Sequence, residues 1–184
     1  LKPDKAKAAQ MSDLTALPHA LDAETRTCRA VIESSKGSRG KYAYDPKLQG
    51  FMLKRLLPAG MSFPLDFGFV PATRAEDGDP LDIMVLHDEP LPMGVIVDVR
   101  LIGIIEAEQT EDDKTVRNDR VLAVAMESLS YATTNRIADL PSGFLDTLTS
   151  FWTQYEGLRD VGFHILGAKD GVEAIRRIQA AAQP

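Results

Sequence analysis

From Cys28 to about Val124 the chain is a succession of short apolar runs cut by glycine, proline and polar residues: CRAVIE, KYAYD, FMLKRLL, FGFV, LDIMVL, GVIVDVRLIGII and VLAVAM. Runs this short, bounded by turn formers and with no helix between them, point to a strand-rich region. Val95, Val97, Val99, Leu101 and Gly103 alternate with Ile96, Asp98, Arg100 and Ile102, the period of two of a strand with one buried face. The period then changes. After Leu140 and Pro141, Ser142 is placed to cap a helix in which Leu145, Leu148, Trp152 and Tyr155 recur at steps of three and four up to Gly157. A second helix is expected from Gly171 to about Ala182, with Val172, Ile175 and Ile178 on one stripe and Arg176 and Arg177 turned outward. Together these elements predict a mainly β fold with α: a small closed antiparallel β-barrel, OB-like, flanked by C-terminal helices.

The 184 residues are expected to form a single domain, 1–184, whose first 20 or so residues, with Lys2, Pro3, Lys5, Lys7 and Pro18, make a loosely held N-terminal arm. The longest unbroken aliphatic stretch, Val121 to Met126, is far below the roughly 18 apolar residues that span a bilayer. No membrane partner is expected, and the location is read as cytoplasmic, with the natural start upstream of Leu1. Cys28 stands alone and reads as a buried small hydrophobe. His19, His87 and His164 show no metal-ligand spacing.

Charge is distributed unevenly. The 25 residues from Ala75 to Val99 hold Glu76, Asp77, Asp79, Asp82, Asp88, Glu89 and Asp98 and no lysine or arginine, so they carry −7 while the other 159 carry +1. Between Arg29 and Arg55, Arg29, Lys36, Arg39, Lys41, Lys47, Lys54 and Arg55 face only Glu33 and Asp45, a net of +5. An acidic run and a basic run are either two solvated surfaces or the two halves of a site for metal cations and a polyanion. The overall charge of −6 argues against a duplex nucleic-acid partner.

The most informative stretch is Glu76-Asp77-Gly78-Asp79-Pro80-Leu81-Asp82-Ile83. Three carboxylates sit on a Gly-Pro turn that opens directly into an apolar strand. Held so close, they repel unless a cation neutralises them, and clustered carboxylates select hard ions: Mg²⁺, with Mn²⁺ as the alternative. The plainer reading, an exposed acidic turn, suits any two of these residues better than all three. An EF-hand fails because Leu81 and Asp82 stand where an oxygen ligand and a glycine are required. A haloacid-dehalogenase nucleophile would follow a hydrophobic strand, whereas Asp77 follows the polar Thr73 to Glu76. Gly37-Ser38-Arg39-Gly40-Lys41 is no P-loop, since Ser35 replaces its first glycine and Tyr42 its metal-binding hydroxyl.

The chain closely resembles the soluble, barrel-core (family I) inorganic pyrophosphatases. Asp77-Gly-Asp-Pro-Leu-Asp82 carries the resemblance, supported in order by Ile32-Glu33, Lys41-Tyr42, Arg55, Phe63-Pro64 to Phe67-Gly68-Phe69, and Arg120-Val-Leu-Ala-Val124. It runs from about Val31 to Val124 and more loosely to Tyr155. The resemblance implies metal-dependent hydrolysis of pyrophosphate to two phosphates, an inorganic diphosphatase working as a homo-oligomer. It implies Asp77, Asp82 and Asp113 as metal ligands and Asp79 as the residue that orients or deprotonates the attacking water. Lys41, Arg55, Arg120 and Tyr155 would grip the phosphates, Lys41 and Arg55 joining Asp79 as catalytic groups. Glu33 would stand at the substrate and hold a further metal through water. Each basic residue can also be an ordinary solvated charge, and Tyr155, on its helical stripe, a core residue with its hydroxyl free.

Three positions depart from the family pattern. Phe67 stands where a tyrosine commonly offers a hydroxyl to phosphate, and Glu156 where a lysine is usual. The family's last carboxylate, two residues before the basic residue of the Val-Leu-Ala-Val strand, is here Asn118, with Asp119 next to it. In a regular strand Asn118 shares a face with Arg120 and Asp119 points away; a bulge reverses this. We expect the bulge, because Asp112, Asp113 and Lys114 precede an irregular charged connection, and take Asp119 as the fourth metal ligand. Two other classes are weighed. A non-catalytic phosphate- or nucleotide-binding relative would keep the fold with a weakened metal site, and a single-strand nucleic-acid barrel is disfavoured by the acidic segment and few aromatics.

Overall fold

The computed structural model describes residues 13–158 and 161–183. Its elements run β1 (Thr27–Ser34), β2 (Gly40–Asp45), β3 (Gly50–Leu56), β4 (Asp66–Phe69), β5 (Asp82–Leu86), β6 (Ile96–Glu111), β7 (Lys114–Arg117), β8 (Arg120–Ala125), α1 (Phe144–Gly157), β9 (Gly162–Asp170) and α2 (Gly171–Ala181). Short 3-10 turns lie at Leu14–Ala16 and Ile137–Asp139. Of the expected N-terminal arm, residues 1–12 lie outside the described residues. From Asp13 on the chain is held, with Leu14 and Leu17 packed against Val31, Tyr44 and Phe69, and Thr15 O accepting from Ala72 N.

The main sheet is mixed. β1 pairs antiparallel with β4 and β6, β4 antiparallel with β5, and β8 antiparallel with β6, but β5 and β8 run parallel, Asp82 opposite Arg120 and Leu86 opposite Val124. The pairings return from β6 to β1, while β7 and β9 are carried as further partners of β6. This corrects the expected small closed antiparallel OB-like barrel: the fold is mixed α/β, its ring of pairings is not an antiparallel barrel, and its α-helices among the described residues are two. The physical reason is burial on both faces. Along β5 and β8, Ile83, Val85, Val121 and Ala123 pack with Ala174, Ile175 and Ile178 of α2, whereas Met84, Leu86, Leu122 and Val124 pack with Leu148, Trp152 and Tyr155 of α1. A sheet covered on both sides needs unbroken apolar strands, which is how parallel pairs read. Each fully buried aliphatic side chain contributes roughly 1.5–3 kcal/mol.

Both helices differ in detail from expectation. α1 starts after Gly143, in the left-handed region with φ 79°, and not with a Ser142 side-chain cap. α2 is capped by Asp170, whose carboxylate accepts from Val172 N and Glu173 N. Its buried stripe is Gly171, Ala174, Ile175 and Ile178, with Val172 exposed. Arg176 faces solvent, but Arg177 turns inward to Glu106 and Asp119.

The separate hairpin β2–β3 stands beside the main sheet, Lys41 directly opposite Arg55, with an irregularity between Lys41 and Tyr42. Glu33 and Ser34 of β1 fasten it, accepting from Tyr44 N at 2.8 Å and Tyr42 N at 3.0 Å. β1 and β4 approach so closely that a Cβ on Gly68 would lie 1.9 Å from Val31 O, so only glycine fits there.

Candidate active site

One cavity of about 710 Å³ gathers the two charge runs. Its walls include Glu33 from β1, Lys41 from β2, Arg55 from β3, Asp79 from the acidic turn, Asp82 at the start of β5, and Tyr155 from α1. The acidic turn is built locally. Gly78 takes φ +94°, Gly78 N donates to Ala75 O, Ala75 N to Asp79 O, and Asp79 N to Asp77 Oδ1 at 3.1 Å. Leu81 behind it is buried and donates its N–H to Thr73 Oγ1, which anchors the turn before the strand begins.

Burial pushes the Asp82 carboxyl up to about 7; Arg120 and Lys41 oppose the rise, and Glu33 and Asp77 add to it. Asp77 is also raised, first by burial and then by Asp79, against the hydrogen bond from Asp79 N and the charge of Arg120. The turn thus packs acids that resist ionising together. Of the basic residues in the lining, Lys41 Nζ sits 3.3 Å from Glu33 Oε2 and 4.0 Å from the centroid of the Phe67 ring. The Arg55 guanidinium lies 5.7 Å from the Tyr155 centroid, and its Nη1 is buried without a hydrogen-bond partner. Lys54 and Arg74 also line the cavity and were missed by the sequence reading. Their neighbours Arg55 and the acidic turn were the available signal.

Four candidates are not on the cavity wall: Asp77, exposed on the acidic turn beside the lining Gly78 and Asp79, and Asp113, Arg120 and Asp119. Asp113 is exposed in the turn between β6 and β7, with φ 59°. Arg120 is 2% exposed, its guanidinium 4.0 Å from the Trp152 centroid and 4.6 Å from that of Phe163. Asp119 is buried elsewhere. The β6–β8 register runs from Gly103–Leu122 through Ile105–Arg120, and Asn118 N donates to Ala107 O, so it continues unshifted to Asn118. No bulge turns Asp119 inward, which corrects that expectation. Its carboxylate accepts from Ala107 N, lies 2.9 Å from Arg117 Nη2 and 3.4 Å from Arg177 Nε, and shares both arginines with Glu106.

No group of three or more histidine, cysteine, aspartate or glutamate side chains converges on a metal position among the described residues. The donors still suit Mg²⁺, which keeps several waters and is held by one or two carboxylates together with substrate phosphate. Asp77 and Asp82, both raised first by burial, Asp77 further by Asp79 and Asp82 further by Glu33 and Asp77, are such a pair.

The family model for inorganic pyrophosphatase matches residues 30–184. The inorganic pyrophosphatase of Thermus thermophilus is 35% identical over 173 residues, covering 92% of this chain and 96% of its own. The chain belongs to the inorganic pyrophosphatase family. The Nostoc inorganic pyrophosphatase is 38% identical over 140 residues, 76% of this chain and 80% of its own. The crystal structure of the Thermus inorganic pyrophosphatase superposes with a TM-score of 0.82 at 33% identity, covering 92% of this chain and 97% of that one. The Neisseria gonorrhoeae inorganic pyrophosphatase gives 0.83 at 26% identity, covering 92% and 96%.

As an inorganic pyrophosphatase, this chain uses its three departures structurally. Phe67 is the ring beneath Lys41. Asn118 donates from Nδ2 to Gln109 Oε1 at 2.6 Å. Glu156 accepts from Arg120 Nη2 at 2.8 Å, with both side chains 2% exposed.

Proposed function

We propose that this cavity hydrolyses inorganic pyrophosphate to two phosphates with a metal-activated water, the chain acting as an inorganic diphosphatase. The observation that carries the reading is that both charge runs line one cavity: Asp79 and Asp82 from the acidic turn, and Lys41 and Arg55, paired across β2–β3, from the basic run. A substrate that is itself a small polyanion and needs cations beside it fits a wall that offers both.

Asp77 and Asp82 would hold Mg²⁺, or Mn²⁺, which supplies charge neutralisation of the diphosphate and a lowered pKa for water. Asp79, between those two on the turn, orients the water and takes its proton. Lys41 and Arg55, both on the cavity wall, bind the phosphoryl oxygens and stabilise the leaving phosphate. Glu33 holds Lys41 in place and fixes β2 through Tyr44 N, and Tyr155 stacks with Arg55 and closes the cavity. Arg120 stands behind Asp82 and acts on its charge. Asp113 and Asp119 have no part in this scheme. No helix among the described residues is long and apolar enough to cross a membrane. A homo-oligomer working in the cytoplasm accords with the family resemblance.

Phosphate release is measured from pyrophosphate with Mg²⁺ and compared with ATP and a phosphate monoester. Release from pyrophosphate far above the others is expected. Pyrophosphate binding without phosphate release would overturn the reading.

A further inference from the structure

Arg120 is a buried cation with two carboxylates in reach. Its Nη2 donates to Glu156 Oε1 at 2.8 Å, its Nη1 to Asn118 O at 3.2 Å, and its Nε, buried and without a hydrogen-bond partner, stands 3.9 Å from Asp82 Oδ2. The guanidinium also lies over the rings of Trp152 and Phe163. Asp82 and Arg120 are Cα partners in the parallel β5–β8 ladder, so the backbone already places their side chains on one face, side by side. A direct Arg120–Asp82 hydrogen bond is within reach of this register, and the structure does not make it. Glu156, reaching in from α1, holds the guanidinium at the shorter distance.

We infer that Glu156 is a positioning residue: it withholds Arg120 from Asp82 and so leaves the Asp82 carboxylate free to take a divalent cation. The inference rests on the reading of Asp77 and Asp82 as cation ligands. Coulomb attraction rises as the separation shrinks and as water is excluded, and a buried guanidinium deprived of its partner is strongly unfavourable. With the Glu156 charge removed, Arg120 closes on Asp82, the other carboxylate it pairs with among the described residues. It then competes with the metal for the same oxygens. A Glu156 that merely packs α1 against the sheet would alter stability and leave cation affinity alone.

The test is Mn²⁺ titration of the folded protein without pyrophosphate, followed by calorimetry, with circular dichroism to verify folding. Wild type, Glu156→Gln and Glu156→Gln/Arg120→Met are compared. Glu156→Gln is expected to raise the Mn²⁺ Kd on the order of tenfold, and the double variant, which lacks the competing cation, to return it to the wild-type value or below. An unchanged Kd in Glu156→Gln overturns the inference, and so does a Kd raised equally in both variants, since the loss then does not pass through Arg120. If Glu156→Gln fails to fold, Glu156→Asp, which keeps the charge but draws it back by one methylene, takes its place: a raised Kd that added Arg120→Met restores is expected, and an unchanged Kd overturns the inference. Wild-type protein that takes no Mn²⁺ refutes the underlying metal assignment instead.

Discussion

Lys41 Nζ lies 3.3 Å from Glu33 Oε2, with the Phe67 ring 4.0 Å beneath it. The ammonium is therefore held before any substrate arrives, which lowers the entropy lost on binding an anion. Lys41→Ala is expected to lower kcat/KM by roughly 100-fold or more, as loss of one preorganised donor does. Arg55→Ala should act in the same direction, because its Nη1 has no other hydrogen-bond partner to lose. Neither change should weaken Mn²⁺ binding, since both remove positive charge. Steady-state kinetics and metal titration check this; wild-type kcat/KM in both variants would reduce the basic cluster to a solvated face.

Asp82→Asn should lower turnover by about three orders of magnitude or more while the protein stays folded. Burial raises the Asp82 carboxyl from 3.8 to about 7, so in metal-free protein the folded state binds its proton more tightly than the unfolded chain does. The stability this contributes is present at low pH and is lost as pH rises between those two values. The asparagine lacks that loss. Thermal unfolding in chelator from pH 4 to 8 should show the wild type declining relative to Asp82→Asn; parallel curves would contradict the burial of this carboxylate.

Activity should vanish in excess chelator and return on adding Mg²⁺ or Mn²⁺, because Asp77, Asp79 and Asp82 cannot neutralise a diphosphate themselves. A phosphate-release assay before and after re-addition is sufficient. Undiminished turnover in chelator would rule out the metal.

Asp119 and Asn118 should separate cleanly. Asp119→Ala strips a buried acceptor from Ala107 N and a partner from Arg117 and Arg177, and breaking such a pair costs about 3–5 kcal/mol. Mn²⁺ affinity of the folded variant should be unchanged. Asn118→Asp places a carboxylate on the strand face that carries Arg120 and should tighten Mn²⁺. Denaturant unfolding and metal titration of the two variants read both effects; a large loss of metal affinity in Asp119→Ala would restore it as a ligand.

Cys28 is 2% exposed, and burial pushes its thiol up to about 12, with Asp98 adding to the rise. The thiolate is the reactive form, so alkylation of native protein at pH 8.5 should be slow and should become rapid in denaturant. Mass spectrometry after iodoacetamide treatment measures it, and rapid labelling of the native protein would show that the site opens.

The expected runs reappear as strands almost where they were read: CRAVIE in β1, KYAYD in β2, FMLKRLL in β3, FGFV in β4, DIMVL in β5 and VLAVA in β8. β9 was not anticipated. Gly162–Asp170 alternates between exposed and half-buried positions and takes its strand form from pairing with β6. The opposition of Lys41 and Arg55 was not legible either, although both residues were, because it depends on the register of a hairpin with an irregularity beside Lys41.

The sequence by itself determined where both helices and most of the strands from β1 to β8 form, and it put three acids on a Gly-Pro turn, because period and turn chemistry act over a few neighbouring residues. Only the tertiary structure decided which faces are covered, that β5 and β8 run parallel, and what each charge meets. Asp119 faces Arg177 of α2, and Arg120 is claimed by Glu156, 36 residues away. A charge is stabilised by whatever lies within a few ångströms of it once water is gone, and those neighbours come from elements that no local pattern links.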